Sequence, residues 1–402
     1  MSATLLTIVE PVVARPAASR PSGVPLWRLG FRPFYLGAAL AAVVLMGLWP
    51  AVLTGRVRLA PGLAPSLWHA HEMVFGCVAA VVVGFLFTAG RVWTGLGTPR
   101  GLALAALAAL WLAGRLAAVF APEGVFMAVD GAFLPLVAGI FARLLLRSGN
   151  RRNAGVAVVL ALLGAADLAF HAAAMGWLPF DPMRALHAGI ALLVILESVI
   201  GGRVIPAFTM SANPGLALRP RAELDRCAIG ASAIGLALWL AGAPGWGSGA
   251  VLAIAAVAQA VRLAGWQPAR AIERPVLWIL HLSYAWIPLG LGLLAASSLD
   301  LVARSAGVHA LAVGATGGLV LGMITRTARG HTGRSIAVSQ LEVVAYAALM
   351  AAALLRVGAA LVPPLWTPLV CAAGVAWIAA FALYLWRFAP WLVAPRVDGK
   401  DG

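Results

Sequence analysis

The stretch WHAHEMVFGCVAAVVVGFLFTAG, residues 68–90, decides the fold class. After Glu72 it contains no charged residue up to Gly90. About twenty apolar residues in helical conformation are long enough to cross a hydrocarbon core of about 30 Å. At that depth the backbone must satisfy its own hydrogen bonds, so an apolar run of this length predicts a transmembrane helix.

Similar apolar runs recur along the whole chain. Of its 402 residues, 62% are hydrophobic and only 11% are charged, whereas soluble domains carry roughly a quarter charged residues. The sequence therefore predicts an all-α integral membrane protein with about twelve transmembrane helices, here numbered 1 to 12. The predicted spans are 33–53, 68–90, 101–121, 124–147, 154–175, 183–205, 223–242, 248–265, 275–297, 306–326, 337–361 and 366–388.

The formal net charge of +15 does not indicate a nucleic-acid partner, because the basic residues lie in short loops between apolar runs. With a cytoplasmic N-terminus, most of them fall on the inner side, and the outer loops hold only Arg56, Arg58, Arg184 and Arg304. The positive-inside rule then predicts that both termini are cytoplasmic in a bacterial inner membrane. We expect a disordered tail over 1–28, a membrane domain over 29–390 and a second cytoplasmic tail over 391–402.

The depth of the histidines is the strongest functional signal. His69 and His71 open helix 2, His187 opens helix 6 and His309 opens helix 10, all near the predicted outer surface. Polar groups inside a membrane are costly and usually functional, and neutral imidazole is a common metal ligand. These four histidines are therefore the candidate metal ligands, and imidazoles from separate helices could hold a metal ion or a haem iron.

Helices 2 and 10 share a further pattern. His71 and His309 are each followed by glycine at five and thirteen positions, which are Gly76 and Gly84 in one helix and Gly314 and Gly322 in the other. Glycine allows a neighbouring helix or a flat porphyrin to approach the backbone. Outer histidines on helices 2, 6 and 10 of twelve also match the layout of the haem–copper oxidase core subunit, as an analogy of arrangement.

Each histidine also has a structural interpretation. His69 and His71 are about 200° apart around a helix, so both cannot face one ion if the helix is regular. His171 is best explained as an i,i+4 pair with Asp167 that caps helix 5. On the inner side, His281 and His331 could ligate a second centre, or His281 could bond a neighbouring helix and His331 could lie in a solvated loop after helix 10.

Other polar residues within the spans have possible roles. Glu197, near the middle of helix 6, is the candidate proton relay, and a structural pairing with Arg115 is the alternative. Arg326 and Arg334 lie near helix ends, where arginine can bind the propionates of a haem. The candidate cofactor-binding residues are thus His71, His309, His281, His331, Arg334 and Arg326.

The chain resembles the NnrS family of bacterial membrane proteins, which contain haem and copper and are associated with nitric oxide. The matching segments are GFRPF at 30–34, WHAHEM at 68–73, GFLFTA at 84–89, WTG at 93–95, GRVIP at 202–206, HALAVG at 309–314 and GHTGR at 330–334. The resemblance implies haem and copper as cofactors and a role in nitric oxide metabolism or nitrosative-stress tolerance. Because no C-x-x-C-H motif occurs, we expect a non-covalent b-type haem with imidazole ligation.

Two functional hypotheses follow. The first is a haem- and copper-binding membrane protein that binds or reacts with nitric oxide, surrounded by lipid, with electrons from quinol or a separate cytochrome and with no nucleic-acid partner. The second is a secondary transporter or exporter of a metal or small molecule. A purely structural scaffold leaves the placement of the histidines unexplained, so the first hypothesis is preferred.

Overall fold

The computed structural model describes residues 23–219 and 221–401, and all regular secondary structure within these ranges is helical. Most of the predicted N-terminal tail, residues 1–22, lies outside the described residues. Within the described ranges, twelve helices are long and apolar enough to cross a membrane, which confirms the predicted fold class. They are α1 Phe31–Leu53, α2 Pro65–Thr94, α3 Leu102–Phe120, α4 Glu123–Ser148, α5 Arg151–Ala174, α6 Pro182–Ala212, α7 Ala222–Ala241, α8 Gly245–Ala264, α9 Pro275–Ser298, α10 Arg304–His331, α11 Gln340–Leu361 and α12 Pro363–Val393.

Helices α2 and α10 form the centre of the bundle. In each of them 72% of the most apolar stretch is buried, compared with 22% in α7 and 28% in α12. Helix α2 packs against α1, α3, α4 and α6, and α10 packs against α6, α9, α11 and α12. The two helices with the shared histidine and glycine pattern are therefore the most enclosed, and α6 contacts both of them.

Some helices extend well beyond their predicted ends. Helix α10 continues to His331, which is its last residue. The prediction that His331 lies in a loop after this helix is therefore wrong. The apolar pattern ends earlier because charged residues occupy the last turns. Arg326 stacks on the Phe208 ring at 3.6 Å, and Arg329 forms a buried ion pair with Glu342 of α11. These contacts allow the helix to continue past its apolar segment.

Helices α2 and α10 both contain a π-helical segment, in corresponding positions. The segments are Glu72–Val78 and Ala310–Gly317, and each begins directly after a candidate ligand, His71 or His309. A π-helical turn is rare and is often found at functional sites. The correspondence gives a structural basis to the repeated pattern seen in the sequence.

The shared glycines allow close contacts at the same two places. A methyl group on Gly76 would collide with the guanidinium of Arg115, and one on Gly314 would collide with the indole of Trp286. Trp111 also donates a hydrogen bond of 2.8 Å to the carbonyl of Gly76. The glycine five positions after each histidine thus admits a large side chain from a neighbouring helix, as predicted for close helix packing.

The segment after α12 lies across the ends of other helices. Arg32 of α1 donates hydrogen bonds of 2.8 Å to the carbonyls of Leu392 and Ala394. The amide of Val397 donates to the carbonyl of Thr332. Asp401 pairs with Arg100 at 2.9 Å. The end of the described chain is therefore held against α1, α10 and the α2–α3 loop.

Candidate metal centre

Four side chains from three helices converge in the outer half predicted for the bundle. They are His71 of α2, Asp130 of α4, and Asp167 and His171 of α5, and one ligand atom from each lies within 4.8 Å of all the others. All four are buried, with at most 4% of each residue exposed. Just after Asp130, Gly131 and Ala132 form a turn between the two helical segments of α4, with backbone angles that stay in the right-handed helical region.

Both ring nitrogens of His71 face carboxylates. Nδ1 lies 3.1 Å from Glu72 Oε1, and Nε2 lies 2.9 Å from Asp167 Oδ1 and 3.2 Å from Asp130 Oδ2. An ionised carboxylate only accepts hydrogen bonds, so Nδ1 must carry the proton shared with Glu72. A neutral imidazole then presents a lone pair at Nε2, which can face two carboxylates only if a proton or a cation lies among them.

His171 repeats this arrangement. Its Nδ1 lies 2.7 Å from Glu123 Oε1, and its Nε2 lies 3.5 Å from Asp130 Oδ2 and 3.8 Å from Asp167 Oδ1. Asp130 Oδ2 and His171 Nε2 are buried and have no hydrogen-bond partner among residues 23–219 and 221–401. The two imidazoles thus direct Nε2 towards the same pair of aspartates, with Nδ1 held by a separate glutamate.

One guanidinium faces this acidic group. Arg115 of α3 forms an ion pair of 3.0 Å with Glu72 and a shorter one with Asp130, and it reaches both across Gly76. Among the described residues, Arg115 is thus the one permanent cation paired within this group of four carboxylates, and it pairs with two of them. Uncompensated charge in a protein interior costs several kcal/mol, and a bound cation or additional protons would offset it.

Aromatic side chains enclose the imidazoles. The His71 ring centroid lies 5.4 Å from that of Phe75, 5.0 Å from that of Phe126 and 4.7 Å from that of Phe170. Phe126 also contacts His171 edge-on at 4.6 Å. These rings exclude water from the group and lower the local dielectric, which strengthens its electrostatic interactions.

The arrangement has the chemistry of a transition-metal site. Metal-ligating histidines almost always donate their second ring N–H to a carboxylate or carbonyl, which fixes the tautomer. Here Glu72 and Glu123 hold the two Nδ1 atoms, and the two Nε2 atoms with Asp130 and Asp167 form a mixed nitrogen and oxygen set. Imidazole with carboxylate suits copper, iron, zinc or manganese better than magnesium or calcium.

Two other predicted ligands, His69 and His309, line a separate cavity of about 290 Å³ between α1, α2, α10, α11 and α12. We call it the outer cavity, after the side of the membrane predicted for His69 and His309. The His69 ring stacks on Trp49 at a centroid distance of 4.4 Å. His309 Nδ1 lies 2.8 Å from the carbonyl of Ser305. Arg356 of α11 lines the same cavity and donates a 3.3 Å hydrogen bond to the Ser305 hydroxyl.

The structure places His187 in a different, polar cavity of about 610 Å³ together with Arg184 and Arg304. Its ring lies 4.9 Å from that of Trp239 of α7. The four histidines predicted at the outer surface therefore divide among three places, and His71 alone of them lies in the metal-ligand cluster.

The candidate cofactor-binding residues of the predicted inner side contact different neighbours. His281 Nε2 is 2.9 Å from the Thr209 hydroxyl. The His331 ring lies 5.5 Å from that of Phe31. Arg334 stacks on Trp391 at 4.2 Å, much as Arg326 stacks on Phe208.

Glu197 lines an apolar cavity of about 100 Å³ between α1, α2, α6, α9 and α10. Its Oε2 atom is buried and has no hydrogen-bond partner among the described residues. The alternative pairing of Glu197 with Arg115 does not occur, because Arg115 is paired with Glu72 and Asp130.

Residues 25–396 match the family model described as NnrS protein. The chain belongs to the NnrS family. The match covers all twelve helices and confirms the resemblance read from the sequence. No curated protein matches the chain significantly. NnrS membership fits a membrane protein related to nitric oxide.

Much of the cluster in this NnrS protein was not assigned a role from its sequence. Asp167 and His171 were interpreted as a capping pair, but their contact is 3.8 Å, whereas Asp167 lies 2.9 Å from His71. Neither Asp130 nor Glu123 lies in a local sequence pattern that assigns it a role. The signal that could have found them is depth. Glu123 and Asp130 lie near the predicted outer end of α4, and Asp167 and His171 lie near that of α5.

Proposed function

We propose that this NnrS protein is a bacterial inner-membrane protein that binds copper and haem b and that binds or reacts with nitric oxide on the outer side of the membrane. The observation that carries the proposal is the buried cluster of His71, Asp130, Asp167 and His171. It joins two imidazoles with two carboxylates in a site enclosed by aromatic rings.

Copper is the metal that we assign to this cluster. The buried Nε2 of His171 and Oδ2 of Asp130 have no hydrogen-bond partners among the described residues, as expected of atoms that ligate an ion. Copper(II) accepts nitrogen and oxygen ligands and binds more tightly than other first-row divalent ions to such a site. Family membership supports the same choice.

The chain's own residues have distinct roles in this proposal. Glu72 and Glu123 hold Nδ1–H of the two imidazoles and so direct Nε2 inward. Arg115 offsets part of the negative charge through Glu72 and Asp130. Phe75, Phe126 and Phe170 exclude water around His71. Copper, when bound, supplies a redox-active centre at which nitric oxide can bind.

Proton and electron supply completes the proposal. Glu197, which has a buried oxygen and lines the apolar cavity between α1, α2, α6, α9 and α10, is the proposed proton relay. Electrons would come from quinol or a separate cytochrome. The haem would be non-covalent, because the sequence has no C-x-x-C-H motif.

The test is metal and spectral analysis of the full-length protein purified in detergent. We expect copper in stoichiometric amount, a b-type haem spectrum, and a spectral change on adding nitric oxide. Asp167→Ala should lose copper. Asp225→Asn is the matched control, because Asp225 pairs with Arg262 away from the cluster.

Three results would contradict the proposal. Protein that contains neither haem nor copper after reconstitution would exclude both cofactors. Copper that dialyses away readily would favour the transporter hypothesis, in which the ion is cargo. Zinc or manganese retained in preference to copper would overturn the assignment of the metal.

A further inference from the structure

We propose that the outer cavity is the haem pocket, with His309 as the axial ligand and Arg356 as the partner of a haem propionate. This inference rests on the proposed function, which includes a b-type haem, and it assigns that haem to residues distinct from the copper ligands. The cavity and the cluster share α2 but no described ligand residue.

His309 is oriented as a ligand. Its Nδ1 lies 2.8 Å from the Ser305 carbonyl, which accepts a hydrogen bond and so fixes the proton on Nδ1. Nε2 is then unprotonated and available to an iron ion. A carbonyl bound to the second nitrogen is a frequent support for a ligating histidine. The π-helical segment that begins at Ala310 marks the same position as functional.

His69 lies in the same cavity but lacks this support. Its ring is stacked on Trp49, and its buried Nδ1 has no hydrogen-bond partner among the described residues. Without a second bond to fix its tautomer, it is less suited to hold the iron. We therefore assign His309 as the axial ligand, and His69 as a polar group that can contact a molecule bound in the cavity.

Arg356 gives the cavity one permanent positive charge. Its Nη2 donates a long hydrogen bond to Ser305, and its buried Nη1 has no hydrogen-bond partner among residues 23–219 and 221–401. None of the described residues that line the cavity is acidic. An arginine without an acidic partner in apolar surroundings favours a ligand with a carboxylate, such as a propionate.

The remaining walls suit a flat apolar ring. They are formed mainly by aliphatic and aromatic side chains, including Met46, Trp49, Val313 and Trp377. The volume of about 290 Å³ would enclose part of a porphyrin, with the rest of the ring at the open edge of the cavity. The cavity is bordered by Leu53 and Val375, whose side chains are exposed at the bundle surface.

The acidic cluster is a poor place for the haem. Both nitrogens of His71 already face carboxylates, and the guanidinium of Arg115 is already paired with Glu72 and Asp130. A haem carries two further carboxylates, which that group would repel. The charges of the two sites therefore separate the cofactors, with copper at the acidic cluster and haem beside Arg356.

The experiment measures haem and copper in parallel on full-length variants. The haem content of His309→Ala should fall at least about tenfold, since loss of a group that only supports a metal ligand already weakens metal binding by about that factor. Its copper content should be unchanged. Added imidazole should restore the haem spectrum. His71→Ala should show the reverse, losing copper and keeping haem. His187→Ala, in the separate polar cavity, is the matched histidine control and should keep both.

Two more variants test the pocket without removing its ligand. Val313→Trp should fill the cavity and reduce haem content while both imidazoles remain. Arg356→Gln should keep the haem but lower its reduction potential, because loss of a nearby positive charge disfavours the added electron. Arg356→Lys should restore much of the potential.

The outcomes separate the inference from the proposed function. Wild-type protein without haem would overturn both. Wild-type protein with haem, and His309→Ala and Val313→Trp with unchanged haem spectra, would overturn the inference and leave the proposed function intact. Loss of haem from His71→Ala but not from His309→Ala would move the haem to the acidic cluster.

Discussion

His69 and His71 are separated by one residue on α2, yet they belong to two different surroundings. His69 stacks on Trp49 and lines the outer cavity. His71 lies 2.9 Å from Asp167 in the acidic cluster. The helix is regular through His71, so side chains two positions apart diverge by about 200°. One turn of α2 therefore forms part of the wall of both sites.

The first prediction uses this pair. His71→Ala removes a ligand and leaves His171 as the single imidazole facing the carboxylates of Asp130 and Asp167, so copper should be lost. His69→Ala should keep stoichiometric copper, because His69 is outside the cluster. Metal analysis of the two purified variants measures the difference. Equal loss of copper from both variants would show that the two imidazoles act on one ion.

The second prediction concerns Glu123, which holds His171 Nδ1 at 2.7 Å. Removing a carboxylate that supports a ligating histidine typically weakens metal binding by about 10- to 100-fold. Glu123→Ala should therefore raise the copper dissociation constant by about that factor, and Glu123→Gln by less, since its amide oxygen can still accept from Nδ1–H. Competition with a chelator measures the constant.

Glu223→Gln is the control for this prediction, because Glu223 is exposed in the first turn of α7. It should bind copper as the wild type does. An unchanged copper affinity in Glu123→Ala would mean that His171 does not ligate the ion.

The third prediction concerns Gly76, across which Arg115 reaches the cluster. A methyl group at Gly76 would occupy the position of the Arg115 guanidinium. Gly76→Ala should therefore displace Arg115, destabilise the protein by about 1–3 kcal/mol as overpacking does, and reduce copper content. Unfolding in detergent, followed by circular dichroism, measures the stability.

Gly139→Ala is a matched control within α4, because no described atom beyond the neighbouring residues and backbone of its own helix lies within 4 Å of the added methyl group. Replacing this helical glycine by alanine should be neutral or stabilising by about 0.5–1 kcal/mol. If the two variants are equally stable, Arg115 can move without cost and the Gly76 contact is not required.

The fold was largely predictable because it depends on one-dimensional properties. Apolar runs of fixed length predict spans such as 68–90 without knowledge of their neighbours. Ends were less predictable. Helix α10 extends to His331 because Arg329 pairs with Glu342 and Arg326 stacks on Phe208. Both partners lie on other helices, and a local hydropathy pattern contains no information about them.

The site was less predictable for the same reason. Depth placed His71, Asp167 and His171 near one predicted level, but depth alone does not give rotation or neighbours. The i,i+4 spacing of Asp167 and His171 offered a sufficient local explanation, and the contact with α2 that overrides it requires the packing of three helices. The π-helical segments after His71 and His309 were also not predicted, although the repeated glycine spacing coincides with them.

The fourth prediction is a pH dependence at the end of the described chain. Burial raises the pKa of Asp401, but the hydrogen bond from Arg100 and the charges of Arg100 and Arg91 lower it more, so the pKa lies below its ordinary value. A carboxylate with a lowered pKa stabilises the folded contact at pH values above its unfolded pKa of about 3.9. That stabilisation is lost as the pH falls through the lower, folded pKa.

Hydrogen exchange at the Val397 amide reports on whether the segment that ends at Asp401 stays in place. That amide lies four residues before Asp401 and donates to the Thr332 carbonyl. After correction for intrinsic exchange rates, its protection should be constant from about pH 7 to about pH 5 and should decrease only below the unfolded pKa. Asp401→Asn should reduce the protection at neutral pH and remove the acid-dependent step, since the amide cannot ionise. A step of equal size in Asp401→Asn would assign the pH dependence to another group. Asp398 would be tested next, because its hydrogen bond with Arg396 also lowers its pKa.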